Sequence, residues 1–436
     1  VLENGNIFAK GRYEDDKLEG YDKPRIRFRV NAVDGSLKIG PESERMPDAV
    51  LTYRRKLGAG ASDAVVLAIP FVTIDTDAEL RQLAGLSFDR VLEHEVARWR
   101  RIISNAAKIE VPNQLLNDFY KAQLSHILIT ADRDVHNGLM LAPAATFSYN
   151  VCLNESCHQI RALEIRGLHD EARQFLDFAV QGQSSRGLHG RFTDRKGVLH
   201  GMPTKDGDYQ HFNYNLDHGF VLWMLNEHYR YTRDQEWLSK VANAMVQACD
   251  FVTRQRKTGP EANTLGRDDD LWGKGLLPPG HLEDPPEWLW WFAVNGYAYR
   301  GMKLSAESLA EIKHPEADRI AKDAEDFGRC LRDSCRESML RAPVVRLRDG
   351  TYVPHQPTRS RLRGRDLGWI RDALYGPVHL MDCFVYPDDS REAEWILRDT
   401  EDNVFIGAER GRAVTDYEQQ WFSWGGITLQ SNLLPN

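Results

Sequence analysis

Residues 275–300 read GLLPPGHLEDPPEWLWWFAVNGYAYR. The stretch opens as a loop, because Pro278, Pro279, Pro285 and Pro286 lack amide donors and disfavour helix in the residues before them. Pro286 suits a first helical turn, so the pattern predicts a helix beginning near Glu287. Trp288, Phe292, Asn295, Tyr299 and Met302 recur at helical spacing, which turns one stripe toward a core. Glu283, Asp284 and Glu287 thereby stand at a loop-to-helix junction beside Trp272, Trp288, Trp290 and Trp291. Carboxylates beside indole rings suit work on sugars. The flat rings stack on pyranose C–H groups, and apolar neighbours raise a carboxyl pKa toward general-acid use. The plainer alternative is an acidic helix start facing its own dipole, among ordinary core tryptophans.

Working outward, the same alternation of helix and long loop repeats. Leu216, Phe220, Trp223 and Met224 run into Tyr229, then the turn Thr232-Arg233-Asp234, then Trp237, Val241, Met245, Ala248 and Val252. Thr232 and Asp234 are both N-cap types. Earlier helices are predicted from Phe88 to about Lys108, from Pro112 to Asp132 with Leu115, Leu116, Phe119, Ala122 and Leu124 inward, over Cys152–Arg166, and from Leu168 onward. Later ones are predicted over Pro315–Arg341, Arg363–Met381, Ser390–Asp399 and Tyr417–Leu434. The long loops, 183–212, 257–286, 341–363 and 403–416, recur on one side. Short turns at one end and long loops at the other predict helical hairpins closed into a two-layer ring. The fold class is therefore mainly α, an (α/α)6 toroid.

Residues 1–80 differ. Arg25–Val30 (RIRFRV) alternates, and Ala49–Lys56 and Ala64–Ile74 are β-branched or apolar between turn signals. This is a small β-rich, sandwich-like N-terminal part, with the barrel over 81–436. The chain begins at Val1, without Met, within that β-region, so it is expected to be a fragment or a processed product.

With 436 residues, 42% of them hydrophobic, the chain can bury a large core. Its net charge of −8 and the lack of a long basic run argue against nucleic acid or an anionic membrane as partner. No apolar run has transmembrane length. The six cysteines form no CxxC pair and read as reduced, buried thiols. Nothing in the chain fixes an oligomeric state or a compartment.

One pattern carries a resemblance. Asp217-His218-Gly219, followed by His228, Tyr229, Arg230, Tyr231, Thr232, Asp234, Trp237 and Leu238, resembles a helical-hairpin motif of the six-hairpin glycosidases. Tyr149–Gln159 (YNVCLNESCHQ) is similar to the segment that holds the terminal sugar in glucoamylase-like relatives. Those relatives carry Arg-Asp or Trp-Asp where Asn154-Glu155 stands here. Gly275–Pro278 with Glu283 and Glu287 resembles the loop that supplies their general acid. The resemblance implies hydrolysis of a glycosidic bond with inversion, by an acid and a base carboxylate roughly 6.5–9.5 Å apart. It implies Glu283 as acid, with Glu287 next and Asp284 third. A helix-start glutamate tends to stay ionised, which favours Glu283 in the loop. The base then comes from the C-terminal part, where Glu418, in Tyr417-Glu418-Gln419, leads over Glu409. Glu418 starts a predicted helix whose Trp421 and Trp424 are placed to flank a sugar.

Substrate contacts are expected from Glu155 and His158, one turn apart on a helix, and from Asp208, Tyr209, His211, Asp217 and His218 at a second loop-helix junction. Trp272, Trp288 and Trp424 are the stacking rings. Arg361, Arg363, Arg365 and Arg371 form a basic group for a carboxylated sugar, or pair at the surface with Asp366 and Asp372. No phosphate- or dinucleotide-binding glycine motif, HExxH or GxSxG is present, so no cofactor is expected. His211 and His218 with Asp208 and Asp217 lack a defining ligand spacing, so no metal is expected either. Two other readings use the same toroid: a polysaccharide lyase or sugar epimerase with Tyr209, His211 or His218 as acid and base, and a sugar-binding protein without catalysis.

Overall fold

The computed structural model describes residues 2–3, 6–14, 17–32, 36–43, 46–70, 74, 76–134, 137–143, 150–202, 210–211, 213–258, 275–283, 287–362, 364 and 375–403. Two compact units divide the chain, Val1–Ser104 and Asn105–Asn436.

The first unit holds β1 (Leu2–Glu3), β2 (Asn6–Glu14), β3 (Lys17–Ala32), β4 (Ser36–Ser43), β5 (Met46–Arg54) and β6 (Val65–Ala68). These form an antiparallel sheet in the order β1-β2-β3-β6, and a separate β4-β5 hairpin. Ile26 and Val30, an even number of residues apart on β3, are both buried, as one face of a strand requires. Helix α1 (Asp77–Ala84) starts at a capping box in which Thr76 and Glu79 satisfy each other's backbone amides. Helix α2 (Phe88–Asn105) follows.

The second unit opens with α3 (Gln114–Thr130), capped by Asn113. Its phase differs from the predicted one: Asn117 and Leu124 are buried, whereas Leu115, Leu116, Phe119 and Ala122 are exposed. Asn117 sets that phase by exchanging two side-chain hydrogen bonds with the Val111 backbone, both 2.9 Å. After the short strands β7 (Asp132–Arg133), β8 (Met140–Leu141) and β9 (Asn150–Val151) come α4 (Leu153–Ile165) and α5 (His169–Gln181). Strand β10 (Gln210–His211) precedes α6 (Leu216–Thr232) and α7 (Gln235–Lys257), then α8 (Phe292–Glu311) and α9 (Ala317–Arg341). The hairpin β11 (Val344–Arg346) and β12 (Tyr352–Pro354), α10 (Val378–Asp382) and α11 (Arg391–Asn403) complete the described elements.

Burial separates two layers. In α6 every residue from Leu216 to Asn226 is buried, and α8 is buried on all faces over its first three turns. A helix apolar all round belongs inside. By contrast α5, α7, α9 and α11 carry an apolar stripe on one side and charges on the other, which suits an outer layer. Helix α6 packs between α4 and α8, and each inner helix leads into an outer one. The α6–α8 crossing depends on Gly219, where a Cβ would lie 2.6 Å from the Ala298 backbone nitrogen. At the α6–α7 turn, Asp234 caps α7 by accepting from Trp237 N at 2.9 Å, while the Thr232 hydroxyl donates back to the His228 carbonyl.

One predicted helix start is displaced. Residues 287–291 are extended and α8 begins at Phe292. Leu289 pairs with Gly280, Phe292 N donates to Thr358 O, and Trp290 O accepts from Ser360 N, so these backbone groups are committed to neighbouring loops. Glu287 and Trp288 therefore lie on an exposed extended segment, and no helix dipole acts on Glu287. Of the predicted helix over Arg363–Met381, the described part is α10, entered through the turn Tyr375-Gly376-Pro377. The predicted helix over Tyr417–Leu434 lies outside the described residues. The six cysteines are free thiols, five buried and Cys330 half-buried. No helix among the described residues is long and apolar enough to cross a membrane.

Candidate functional site

The N-terminal ends of the inner helices meet at one place. Parallel pairing of β9 with β10, Asn150 with Gln210 and Val151 with His211, sets the starts of α4 and α6 side by side. The loop ahead of α8 is pinned into the same mouth. Leu276, Leu277 and Leu282 are buried, Leu277 N donates to Asn295 Oδ1 at 2.8 Å, and Gly280 bridges to Gly190. Gly280 has to be glycine, since a Cβ would meet Asn215 Nδ2 and His189 O at 2.4 Å. One residue past Leu282, Glu283 is carried into the interior and is 6% exposed.

Glu283 is held by two donors on one oxygen. Asn154 Nδ2, from the first turn of α4, donates to Glu283 Oε1 at 3.1 Å and to the Tyr375 hydroxyl at 2.8 Å. The Tyr375 hydroxyl donates to the same Oε1 at 3.0 Å. Burial, with the negative charges of Glu283 and Glu155, pushes the Tyr375 phenol well above its ordinary value, so it keeps its proton. Glu155, half-buried on α4, thus acts on Tyr375 in the same direction as Glu283 does.

Behind this group Asp217 is fully buried at the start of α6. Its Oδ1 accepts Asn154 N at 2.9 Å and its Oδ2 pairs with His200 Nδ1 at 2.8 Å. Burial pushes His200 down to about 3, so the neutral imidazole donates its Nδ1–H to the carboxylate. His218 turns away from Asp217. Its Nδ1 accepts Leu199 N at 3.1 Å, its ring meets Phe251 edge-on, and burial lowers it to about 3. His158 packs edge-on against Phe220, and burial with the nearby charges of His379 and Arg161 lowers it to about 4. Tyr375 in turn lies against His379, whose Nδ1 is 2.6 Å from the Tyr297 hydroxyl. There burial raises the Asp382 carboxyl, and the Arg300 guanidinium 2.6 Å away more than offsets it.

The structure therefore brings together Glu155, Asp217 and Glu283 from the sequence-derived set. It places His218 in the wall between α6 and α7 and Glu287 at the surface. Trp288 is half-exposed, 6.4 Å from the His281 ring, which itself stacks on His189 at 5.6 Å. Arg361 lies over the Trp290 ring at 4.6 Å. Asp208, Tyr209, Trp272, Asp284, Glu409, Glu418, Trp421 and Trp424, the His211 side chain, and Arg363, Arg365, Asp366, Arg371 and Asp372 lie outside the described residues. Tyr375 and His200 were not singled out from sequence. The signal they share with Asn154 and Asp217 is position, a polar group just before or at the start of an inner helix or in the long loop leading to one. Among the described residues no group of three or more His, Cys, Asp or Glu side chains could hold a metal ion.

No protein-family model matches the chain, and no curated protein matches it. Solved structures do. A bacterial glucoamylase complexed with acarbose is similar over 87% of this chain at a TM-score of 0.54 and 12% identity. A metal-independent α-mannosidase of Streptococcus pneumoniae, in complex with α-1,6-mannobiose, is similar over 72% of this chain and 76% of its own, with a TM-score of 0.42 and 11% identity. A glycosidase variant in complex with glucose covers 73% of this chain and 72% of its own, at a TM-score of 0.41 and 14% identity. The chain spans 56% of the length of that glucoamylase. With the two burial layers above, the glucoamylase likeness fixes the architecture: the chain has an (α/α)6-toroid fold.

Proposed function

We propose that this chain is a glycoside hydrolase acting on an oligo- or polysaccharide, with Glu283 as general acid. The observation that carries the reading is Glu283 itself, a carboxyl group buried at the mouth of the inner helices and held in one orientation by Asn154 and Tyr375. A buried carboxyl resists ionisation, which is what protonating a leaving oxygen requires. Glu155, one turn from His158, then serves the terminal sugar's hydroxyls, and Trp288 offers it a stacking face.

Inversion needs a second carboxylate across a water-sized gap, and we assign that role to Glu418, with Glu409 as the other choice. The β-rich residues 1–80 are read as part of a β-sandwich, and residues 81–436 as the catalytic barrel. His218 is buried against Phe251 with its Nδ1 accepting Leu199 N, which argues against it as the base of a lyase or epimerase on this toroid.

The test is a hydrolysis screen over aryl glycosides and natural oligosaccharides, comparing the wild type with Glu283→Gln, Glu418→Gln and Glu155→Gln. Glu283→Gln is expected to reduce kcat by about 10²–10⁴ while sugar binding survives. NMR of the first-formed anomer reads inversion directly. Turnover that persists in Glu283→Gln sinks the assignment of the acid.

A further inference from the structure

We propose that Asn154 and Tyr375 are positioning residues that fix which oxygen of Glu283 carries its proton, holding Oε1 as the acceptor and leaving the proton on Oε2. The inference rests on the reading of Glu283 as general acid.

The geometry is a closed three-membered cycle. Asn154 Nδ2 donates to both the Tyr375 hydroxyl and Glu283 Oε1. Because the Tyr375 oxygen accepts from Asn154, its own proton is directed at Glu283 Oε1, 3.0 Å away. Two donors thus converge on Oε1, and a proton on that oxygen would face both of them. A neutral Glu283 therefore carries its proton on Oε2. Turning the Asn154 amide over would set its oxygen against Oε1, acceptor against acceptor. Asp217 anchors the residue from behind through its backbone N–H.

Asn154 carries a further mark of this role. It is fully buried, and its Oδ1 has no hydrogen-bond partner among the described residues. An orphaned buried acceptor costs stability, and an apolar residue would pack there without that cost. What the amide supplies instead is the donor to Glu283. The raised phenol of Tyr375 keeps the second donor protonated across any working pH.

Among the described residues, the ionisable groups near Glu283 include Glu155 beside Asn154, Asp217 with His200 behind it, Tyr375, and His379 against the Tyr375 ring. The negative charges of Glu155 and Asp217 favour a neutral Glu283, and the two donors favour an ionised one. The cycle therefore sets the pH at which the acid is spent, and removing a donor moves that pH upward.

The experiment is an NMR titration of the ¹³C-labelled glutamate carboxyl groups in the full chain, with the Glu283 signal assigned by its loss in Glu283→Gln. Wild type, Tyr375→Phe, Asn154→Ala and Asn154→Asp are compared, and kcat/KM is followed against pH on whichever glycoside the screen finds. The Glu283 midpoint is expected to rise by about one unit in Tyr375→Phe and in Asn154→Ala, and further in Asn154→Asp, which sets carboxylate against carboxylate. The alkaline limb of kcat/KM should move up with it, and kcat should fall about tenfold with KM little changed. An unmoved midpoint, with only a lower melting temperature, overturns the proposal and leaves the glycosidase reading intact. A midpoint that moves in a chain that hydrolyses no glycoside supports the cycle and overturns the glycosidase reading. Tyr375→Phe removes a single oxygen and keeps the test alive if the Asn154 variants fail to fold.

Discussion

Asp217 Oδ1 accepts the backbone N–H of Asn154 at 2.9 Å, so the first turn of α4 is capped by a carboxylate from the first turn of α6. The residue at α4's own N-cap, Cys152, makes no side-chain cap. An uncapped helix start buried in an interior leaves amide donors unpaired, and Asp217 satisfies one of them while answering the helix dipole. The same bond fixes where the Asn154 side chain begins, and so how it reaches Glu283.

Asp217→Ala is expected to cost about 3–5 kcal/mol, because the Asn154 amide and the His200 Nδ1–H both lose their acceptor in a dry environment. Asp217→Asn keeps an oxygen for one of them and should cost less, about 1–2 kcal/mol. Urea unfolding curves of the three proteins measure the difference. Equal stability of wild type and Asp217→Ala would show that the cap contributes nothing.

Gly219→Ala should be the more damaging of two glycine substitutions at the α6–α8 crossing. Its Cβ would meet the Ala298 nitrogen and the Tyr297 carbonyl carbon, each at 2.6 Å, and backbone cannot step aside. At Gly301 the nearest atoms belong to the Leu222 side chain, at 2.9–3.0 Å. The expected losses are about 3 kcal/mol for Gly219→Ala and about 1 kcal/mol for Gly301→Ala, read from thermal unfolding. The reverse order would mean that the two helices slide more easily than their packing implies.

Acid should destabilise the fold before its carboxylates titrate. Burial holds His158 at about 4, and His200 and His218 at about 3. An unfolded histidine titrates near 6.5, so below that pH the unfolded chain binds protons that the folded chain refuses. Stability is therefore whole above the unfolded value and falls as pH drops from there toward the folded ones. For three such groups the loss between pH 7.5 and 5.5 is about 4 kcal/mol, about 1.4 kcal/mol per group over that whole range. Denaturant unfolding across that range checks it, and a flat profile would contradict the buried neutral state of these rings.

Far from the site, Glu164 is shared by two histidines, Oε1 with His228 Nδ1 and Oε2 with His169 Nδ1, each at 2.5 Å. It ties the end of α4 to the start of α5 and the last turns of α6. Glu164→Ala should cost about 3 kcal/mol, since His228 is buried and left without its acceptor. His169 has a third of its side chain exposed, and His169→Ala should cost under about 1 kcal/mol. Comparable losses in the two variants would place the bond's weight on the surface side.

Much of this was legible in the chain because it rests on local rules. The period of apolar residues marked α6, α7 and α9 to within a few residues, and Asp234 declared the α7 start by its type alone. The alternation of short turns with long loops already implied a two-layer ring of hairpins. Glu283 stood out as a carboxylate in a proline-bounded loop among aromatics. What failed depended on partners far away in sequence. The start of α8 moved to Phe292 because Gly280 and Thr358 hold the preceding backbone, and no local propensity encodes those partners. Leu115, Leu116 and Phe119 carry a helical stripe, yet the exchange between Asn117 and Val111 sets the phase of α3.

The site divides in the same way. The sequence by itself determined the helices α2 to α7 and α9 and the place of Glu283 in a long loop ahead of a helix, since each follows from neighbours within a turn or two. Only the tertiary structure decided that Asn154 and Tyr375, 221 residues apart, close on one oxygen of Glu283, and that His218 faces a wall while the adjacent Asp217 holds a helix start. A hydrogen bond requires two groups within about 3 Å at a set angle, and a one-residue step along a helix turns a side chain by about 100°. Spacing along the chain predicts which face of one helix a group occupies. Which loop meets that face is set by the ring of packed helices.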